Sequence, residues 1–355
     1  MTTQPSSSEI RRMDIIVDTP RIVQGRPLKM VGRRYTTSTA RSASGVTLIF
    51  LHGSGNHKEH WEPCIQWLLN EARSFGQGLH TIREAWTFDW QTHGDSAVLN
   101  AQAFEAPHSR AGMPDWAAAV VMFIRTRLSS HRLICVGHSC GALTLLYSAL
   151  FWPEPRRVPY EALVLIEPVA VDTESFATRT TDLKNLDKLF KVVQTRRNEW
   201  DSYEAAYAWF VKRAPWSSWD LRTLQLHVRH GLRPLCPGSQ KVTTKCDRLH
   251  EAESFTEQQT MFHAAEQIER LCDYVPIHLI YGAHNDFPLK DSKRCLTDLT
   301  KGRRPASATL IPDAGHTVVQ QQPDTIAQAL WKIVVNSTPR KQAALSGDRM
   351  SRSRL

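Results

Sequence analysis

The segment LICVGHSCGALTLL sets Ser139 between Gly137 and Gly141 at the end of an apolar run. A serine hydroxyl is a weak nucleophile unless a base removes its proton and a third group orients that base. Gly-x-Ser-x-Gly between a buried strand and a helix is the pattern of a nucleophile elbow. Glycine on both sides of the serine avoids clashes in a turn tight enough to lift the hydroxyl above the sheet. The following helix aims its first amides at the negative charge that develops when a carbonyl is attacked. The expected chemistry is acyl transfer through Ser139.

The partners must follow in the chain order serine, acid, histidine. His316, in IPDAGHTVVQQQP, falls after the last strand and before the final helix, where the base belongs. Two carboxylates compete for the orienting role. Asp286, in LIYGAHNDFPLKD, and Glu167, in LVLIEPV, each stand at the carboxyl end of a buried strand. Loop position slightly favours Asp286, and either acid could reach the imidazole. An oxyanion hole needs two backbone amides. Cys140 supplies one, and Ser54 in LHGSGNH the other, with Gly53 and Gly55 permitting close approach. His57 and His60 form an H-x-x-H pair, but with no further ligand apparent no metal site is expected, and no cofactor. The seven cysteines are an odd number without a C-x-x-C pair, which argues against both a disulfide framework and a zinc motif. Cys140 reads as a packing residue.

The elements needed to hold these groups are legible as apolar runs. GVTLIFLHG, HRLICVGHS, YEALVLIEPVAV and VPIHLIYGAH are strands buried on both faces. REAWTFDW and SATLIPDAGHTV supply two more strands. HKEHWEPCIQWLLNEA, DWAAAVVMFIRTRL (with Asp115 as its cap), CGALTLLYSALFW and TIAQALWKIVVN are helices between or after them. The alternation predicts an α/β fold with a doubly wound, mostly parallel sheet. The tryptophan-rich segment 171–275 breaks the rhythm and is expected to form a helical cap inserted before the penultimate strand. Its HGLRPLCPGSQKVTTKCDRLHEAESF stretch reads as irregular connection. The core then spans 45–170 and 276–337. Residues 1–44 are expected to form a polar arm with an early strand in MDIIVD, and 338–355 a basic tail. The net charge of +9 resides partly in that tail and is otherwise scattered, so no nucleic acid partner is expected. No apolar run reaches the ~20 residues of a membrane span, and the amino end lacks a secretory core, so the chain is read as soluble and intracellular.

These motifs resemble the α/β-hydrolase superfamily over roughly residues 45–335. Within it, HGSGNHKEHWEP, DWQTHGDSAVLN, LVLIEPV, RRNEWDSYEAAYAWFVKRAPWSSWDLRTLQLHVRHGLRPL and KVTTKCDRLHEAESF resemble fungal peroxisomal hydrolases of secondary metabolism. That group includes the mycophenolic acid-CoA hydrolase type and the hydrolases of AK-toxin and ACT-toxin biosynthesis. The resemblance implies a serine hydrolase acting on an acyl-CoA or related ester under a lid. It also places the triad acid in the LVL-acid-P motif, at Glu167, where the CoA hydrolases carry aspartate. The final Ser353-Arg354-Leu355 resembles the carboxy-terminal Ser-Lys-Leu peroxisomal address. The expected partners are therefore a small acyl ester or acyl-CoA and the peroxisomal import receptor, in the peroxisomal matrix; a homodimer is compatible. The alternatives are a general carboxylesterase or lipase, and a non-catalytic member of the fold that binds a metabolite.

Overall fold

A computed structural model describes residues 10–37, 44–74, 81–105, 109–177, 180–287 and 292–337. The basic tail, with Ser353, Arg354 and Leu355, lies outside the described residues. The strands of the main sheet are β1 (Ile10–Val23), β2 (Arg26–Thr37), β3 (Val46–Leu51), β4 (Ile82–Phe88), β5 (Arg132–His138) and β6 (Tyr160–Ile166). Three short strands, β7 (Glu199–Trp200), β8 (Leu232–Pro234) and β9 (Val242–Thr244), form a separate small sheet. β10 (Ile277–Gly282) and β11 (Ser307–Ile311) return to the main one.

The helices before the cap are α1 (Glu62–Ser74), α2 (Gly94–Phe104), α3 (Met113–Arg127), α4 (Cys140–Ser148) and α5 (Thr173–Ala177). The next four are α6 (Thr180–Thr195), α7 (Tyr203–Phe210), α8 (Leu221–Gly231) and α9 (Arg248–Glu253). The last four are α10 (Gln258–Leu271), α11 (Ser292–Cys295), α12 (Val318–Gln321) and α13 (Pro323–Asn336).

The eight-stranded sheet runs β1-β2-β4-β3-β5-β6-β10-β11. From β4 to β11 all neighbours are parallel. Every residue of β3 and β6 is buried because both faces are covered. On one face, Leu48 and Phe50 of β3 meet Leu68 of α1 and Leu330 of α13 in one cluster. On the other, Ile49 and Leu51 join Trp116 and Phe123 of α3, Leu143 of α4 and Ile268 of α10. Each such Leu, Ile or Phe contributes roughly 1.5–3 kcal/mol by leaving water, so the continuous apolar runs that announced the strands also fix the layers. Strand order reverses at β3, and in open parallel sheets the ligand crevice opens outside the strand ends at such a point.

Three expectations change. The segment read as a polar arm contributes two long antiparallel strands to the sheet. Its alternating polar residues sit on a half-exposed edge hairpin, where cross-strand ion pairs replace apolar patterning; Asp14 and Arg33 are register partners and are bonded. Asp115 is not the first cap of α3 but its third helical residue, its carboxylate reaching back to accept from the Gly112 N–H at 2.9 Å. The cap is smaller and less purely helical than expected. α10 packs on the main core, the stretch read as irregular carries β8, β9 and α9, and Trp200, Phe210, Trp216 and Trp219 build a separate cap core.

Candidate active site

Five strands end at the crevice, and the loop after each delivers one of the residues singled out above. Ser54 follows β3, Ser139 follows β5, Glu167 follows β6, Asp286 follows β10 and His316 follows β11. Ser139 adopts φ 53° and ψ −117°, a conformation a non-glycine residue holds only when its surroundings enforce it. The enforcement is visible. Its N–H donates to the Ile166 carbonyl at 2.9 Å. A Cβ on Gly137 would lie 2.5 Å from the Gly141 carbonyl oxygen, and one on Gly141 would strike the Leu51 carbonyl. Both glycines are thus required by backbone packed directly against them.

The Ser139 Oγ lies 3.0 Å from His316 Nε2. On the other side of the ring, His316 Nδ1 lies 3.2 Å from Glu167 Oε2. Glu167, itself at φ 46°, is fixed by donation from the Gly282 N–H to its Oε1 at 2.7 Å, with the Lys293 ammonium 3.3 Å from the same oxygen. Burial pushes the Glu167 carboxyl up, but His316, Lys293 and the Gly282 amide outweigh it and hold the group below its ordinary range. Asp286, which loop position favoured, takes a different place. Its Oδ1 accepts from the backbone N–H of His316 at 2.7 Å, and a Cβ on Gly315 would collide with its carboxylate. Asp286 therefore sets the loop that presents the imidazole, while Glu167 faces the ring.

Further groups that the sequence did not single out complete the setting. His138 is buried and donates from Nε2 to the His316 carbonyl at 2.8 Å; burial lowers it to about 3, so it stays neutral. Phe287 stacks on the His316 ring, with centroids 4.1 Å apart. Lys293 also donates to the Gly282 carbonyl at 2.8 Å. His138 was visible inside the elbow motif, but only the fold shows what its ring reaches. The Cys140 thiol is pushed up to about 12 by burial, which suits a packing role and not a second nucleophile.

The Gly53-Ser54-Gly55 loop lies against Ser139, since a Cβ on Gly53 would stand 3.2 Å from the Ser139 Cβ. Ser54 Oγ is 2.7 Å from Ser254 Oγ, tying the loop to the end of the cap. Just beyond it, fully buried Lys58 is paired with Asp89, Glu59 and Asp95. The Asp89 carboxylate also accepts from the backbone N–H groups of Lys58 and Asp95 at 2.8 and 2.9 Å. A buried ion needs such a complete set of partners, and this network pins the loop to the DWQTHGDS segment.

Above Ser139 opens a cavity of about 870 Å³ between core and cap. Trp209, Trp216, Trp219, Phe255 and Phe287 wall it, and Lys212 and Arg213 stand in the same wall. A mostly apolar cleft with a few convergent polar groups is what a small-molecule site requires.

The sheet, the elbow and the cap define an α/β hydrolase, and the sequence model of the alpha/beta hydrolase family matches residues 48–329. The chain belongs to that family. It is 31% identical over 141 residues to peroxisomal membrane protein LPX1 of Saccharomyces cerevisiae, a match spanning 37% of this chain and 33% of that protein. The solved structure of the yeast peroxisomal α/β-hydrolase Lpx1 superposes with a TM-score of 0.72 at 19% identity, covering 94% of this chain and 92% of that one. E-2-(acetamidomethylene)succinate hydrolase follows at TM-score 0.63 and 18% identity, covering 91% and 99% of the two chains. An esterase of Mycobacterium tuberculosis gives 0.58 at 17%, covering 92% and 91%. Among the described residues no helix is long and apolar enough to cross a membrane.

Proposed function

We propose that this chain is a serine hydrolase that cleaves an ester or thioester of a large acyl group, an acyl-CoA-like substrate. The observation that carries the reading is the unbroken chain Ser139 Oγ–His316 Nε2, His316 Nδ1–Glu167 Oε2, at 3.0 and 3.2 Å, opening on the cavity. As the substrate carbonyl arrives, His316 takes the Ser139 proton and Oγ bonds to the carbonyl carbon. The backbone amides of Ser54 and Cys140 stabilise the oxyanion. Collapse of the tetrahedral intermediate breaks the bond to the alkoxide or thiolate, which leaves with the proton held on His316. Water, deprotonated by the same ring, then attacks the acyl-enzyme and releases the acid and free Ser139. Glu167 stays ionised throughout, orienting the imidazole and balancing its transient positive charge. No cofactor enters this sequence.

The aromatic wall suits a bulky apolar acyl group, and Lys212 and Arg213 suit an anionic carrier such as the phosphates of CoA. Similarity to a peroxisomal hydrolase and the Ser353-Arg354-Leu355 sequence support action in the peroxisome. The resemblance to toxin-pathway hydrolases supports a place in fungal secondary metabolism. The decisive test is active-site labelling by a fluorophosphonate. Wild type is expected to label and Ser139→Ala not to; a wild type that stays unlabelled while folded overturns the proposal. Rates on acyl-CoA, nitrophenyl and glycerol esters then separate thioesterase from carboxylesterase or lipase.

A further inference from the structure

The H-x-x-H pair after β3 has too few ligands in sequence, yet the fold supplies a third. His57 precedes and His60 lies within the single turn Lys58–Trp61 before α1, and His227 reaches them from α8 of the cap. One ring nitrogen from each can be chosen so that all lie within 4.8 Å of one another. The three residues are at least nine-tenths buried, with 1%, 1% and 8% of their surfaces exposed. Buried polar atoms are ordinarily bonded, and bare ones call for a reason. Here His57 Nε2, both nitrogens of His60 and His227 Nδ1 have no hydrogen-bond partner among the described residues.

We propose that His57, His60 and His227 bind one transition-metal ion of the zinc type, a clamp between the oxyanion-loop segment of the core and helix α8 of the cap. Three imidazoles suit zinc, nickel, copper or iron, and water can complete a tetrahedron. Beside the cluster, a cavity of about 20 Å³ with room for one water is lined by His57, His227 and Gly231 but not by His60, and also by the ion pair Arg196–Glu251. Gly231 keeps that space open, because a Cβ there would stand 3.3 Å from His57 Nε2 and 3.7 Å from His227 Nδ1. Glu59 Oε2 lies 2.9 Å from His57 Nδ1. Carboxylates commonly hold metal-ligating histidines this way, fixing the tautomer that leaves Nε2 as a lone-pair donor. With Zn–N near ~2.0–2.1 Å, ligand nitrogens sit roughly 3.4 Å apart. Binding therefore draws the three rings together and α8 towards the core.

The clamp is separate from the Ser139 chemistry, and its test does not depend on turnover. Untagged full-length protein, stripped with chelator, is titrated with zinc and assayed by elemental analysis, and with cobalt(II) by visible absorption. Wild type and Ser139→Ala are expected to take up one equivalent, to show the intense bands of tetrahedral cobalt, and to melt higher with zinc. His60→Gln and the double variant His57→Gln/His227→Gln are expected to lose the stoichiometric ion and the cobalt bands, with circular dichroism verifying that they fold. Folded wild type that binds no zinc at micromolar concentration overturns the proposal. So does an equivalent bound unchanged in both folded variants, and the wild-type result alone decides if the variants do not fold.

Discussion

Glu167 and Asp286 both bond to His316 but to different parts of it: Glu167 Oε2 stands 3.2 Å from the ring nitrogen Nδ1, and Asp286 Oδ1 2.7 Å from the backbone N–H. Only the first contact can select the tautomer and stabilise an imidazolium. Glu167→Gln is therefore expected to lower kcat by on the order of 10⁴-fold, the scale seen when a triad acid becomes an amide. Asp286→Asn keeps a carbonyl oxygen for the backbone N–H and should lose far less. Steady-state kinetics on any cleaved ester reads the difference; the reverse ranking would give the orienting role to Asp286.

Gly141 tests the elbow itself. A Cβ at this position meets the Leu51 and His52 carbonyls, which belong to strand β3 and its following loop and have nowhere to retreat. Gly141→Ala should cost about 1–3 kcal/mol, the usual penalty of overpacking. It should also displace Ser139, so activity falls by more than the lost fraction of folded protein. Thermal denaturation and specific activity on the same sample report both.

Glu257 makes stability depend on pH in a direction opposite to a salt-bridged acid. Burial, with Asp115 and Glu253 nearby, outweighs the bonds from the Met113 N–H and the Thr260 hydroxyl and raises it from 4.5 to about 7. The folded chain thus binds this proton more tightly than the unfolded chain does. The resulting stability is complete below about 4.5 and is lost as pH climbs through about 7. Glu257→Gln should flatten the fall in denaturation midpoint across that window, measured by urea titration at several pH values.

The strands β3, β5, β6 and β10 were legible because burial on both faces leaves an unbroken apolar run, and the elbow because its glycines abut backbone. The edge hairpin was legible only in MDIIVD, which falls inside β1; its length and its partner β2 were not. β1 shows Arg11, Arg12, Asp14 and Asp18 to solvent, and its stability lies in pairs such as Asp14–Arg33 that exist only once the register is set. The site was half legible for a similar reason. The elbow motif pointed to Ser139 and chain order to His316. The direction each carboxylate takes depends on the positive φ of Glu167 and on the Gly282 amide, neither of which leaves a pattern in one sequence. His227 could join His57 and His60 only through the packing of the cap on the core.

Targeting is testable without reference to the fold. A fluorescent protein fused to the amino end should mark peroxisomes, and deleting Ser353, Arg354 and Leu355 should return the signal to the cytosol. An unchanged distribution after the deletion would assign import to another segment.

The carrier half of the substrate should be read by the basic wall of the cavity. Arg213 lies 4.6 Å over the Trp209 ring and donates to the Trp209 carbonyl at 3.1 Å, and both it and Lys212 line the cavity. A charge-assisted hydrogen bond to a phosphate is worth ~1.5–3 kcal/mol, about tenfold or more in affinity. Lys212→Glu/Arg213→Glu should therefore raise KM for an acyl-CoA by about tenfold or more and leave KM for a neutral nitrophenyl ester of the same acyl group nearly unchanged. Added salt should weaken wild-type binding of the CoA ester and not of the neutral one, because these side chains stand in an open wall where ions screen them. An equal effect on both esters would show that the two residues serve the acyl pocket alone, and the substrate would then be an uncharged ester.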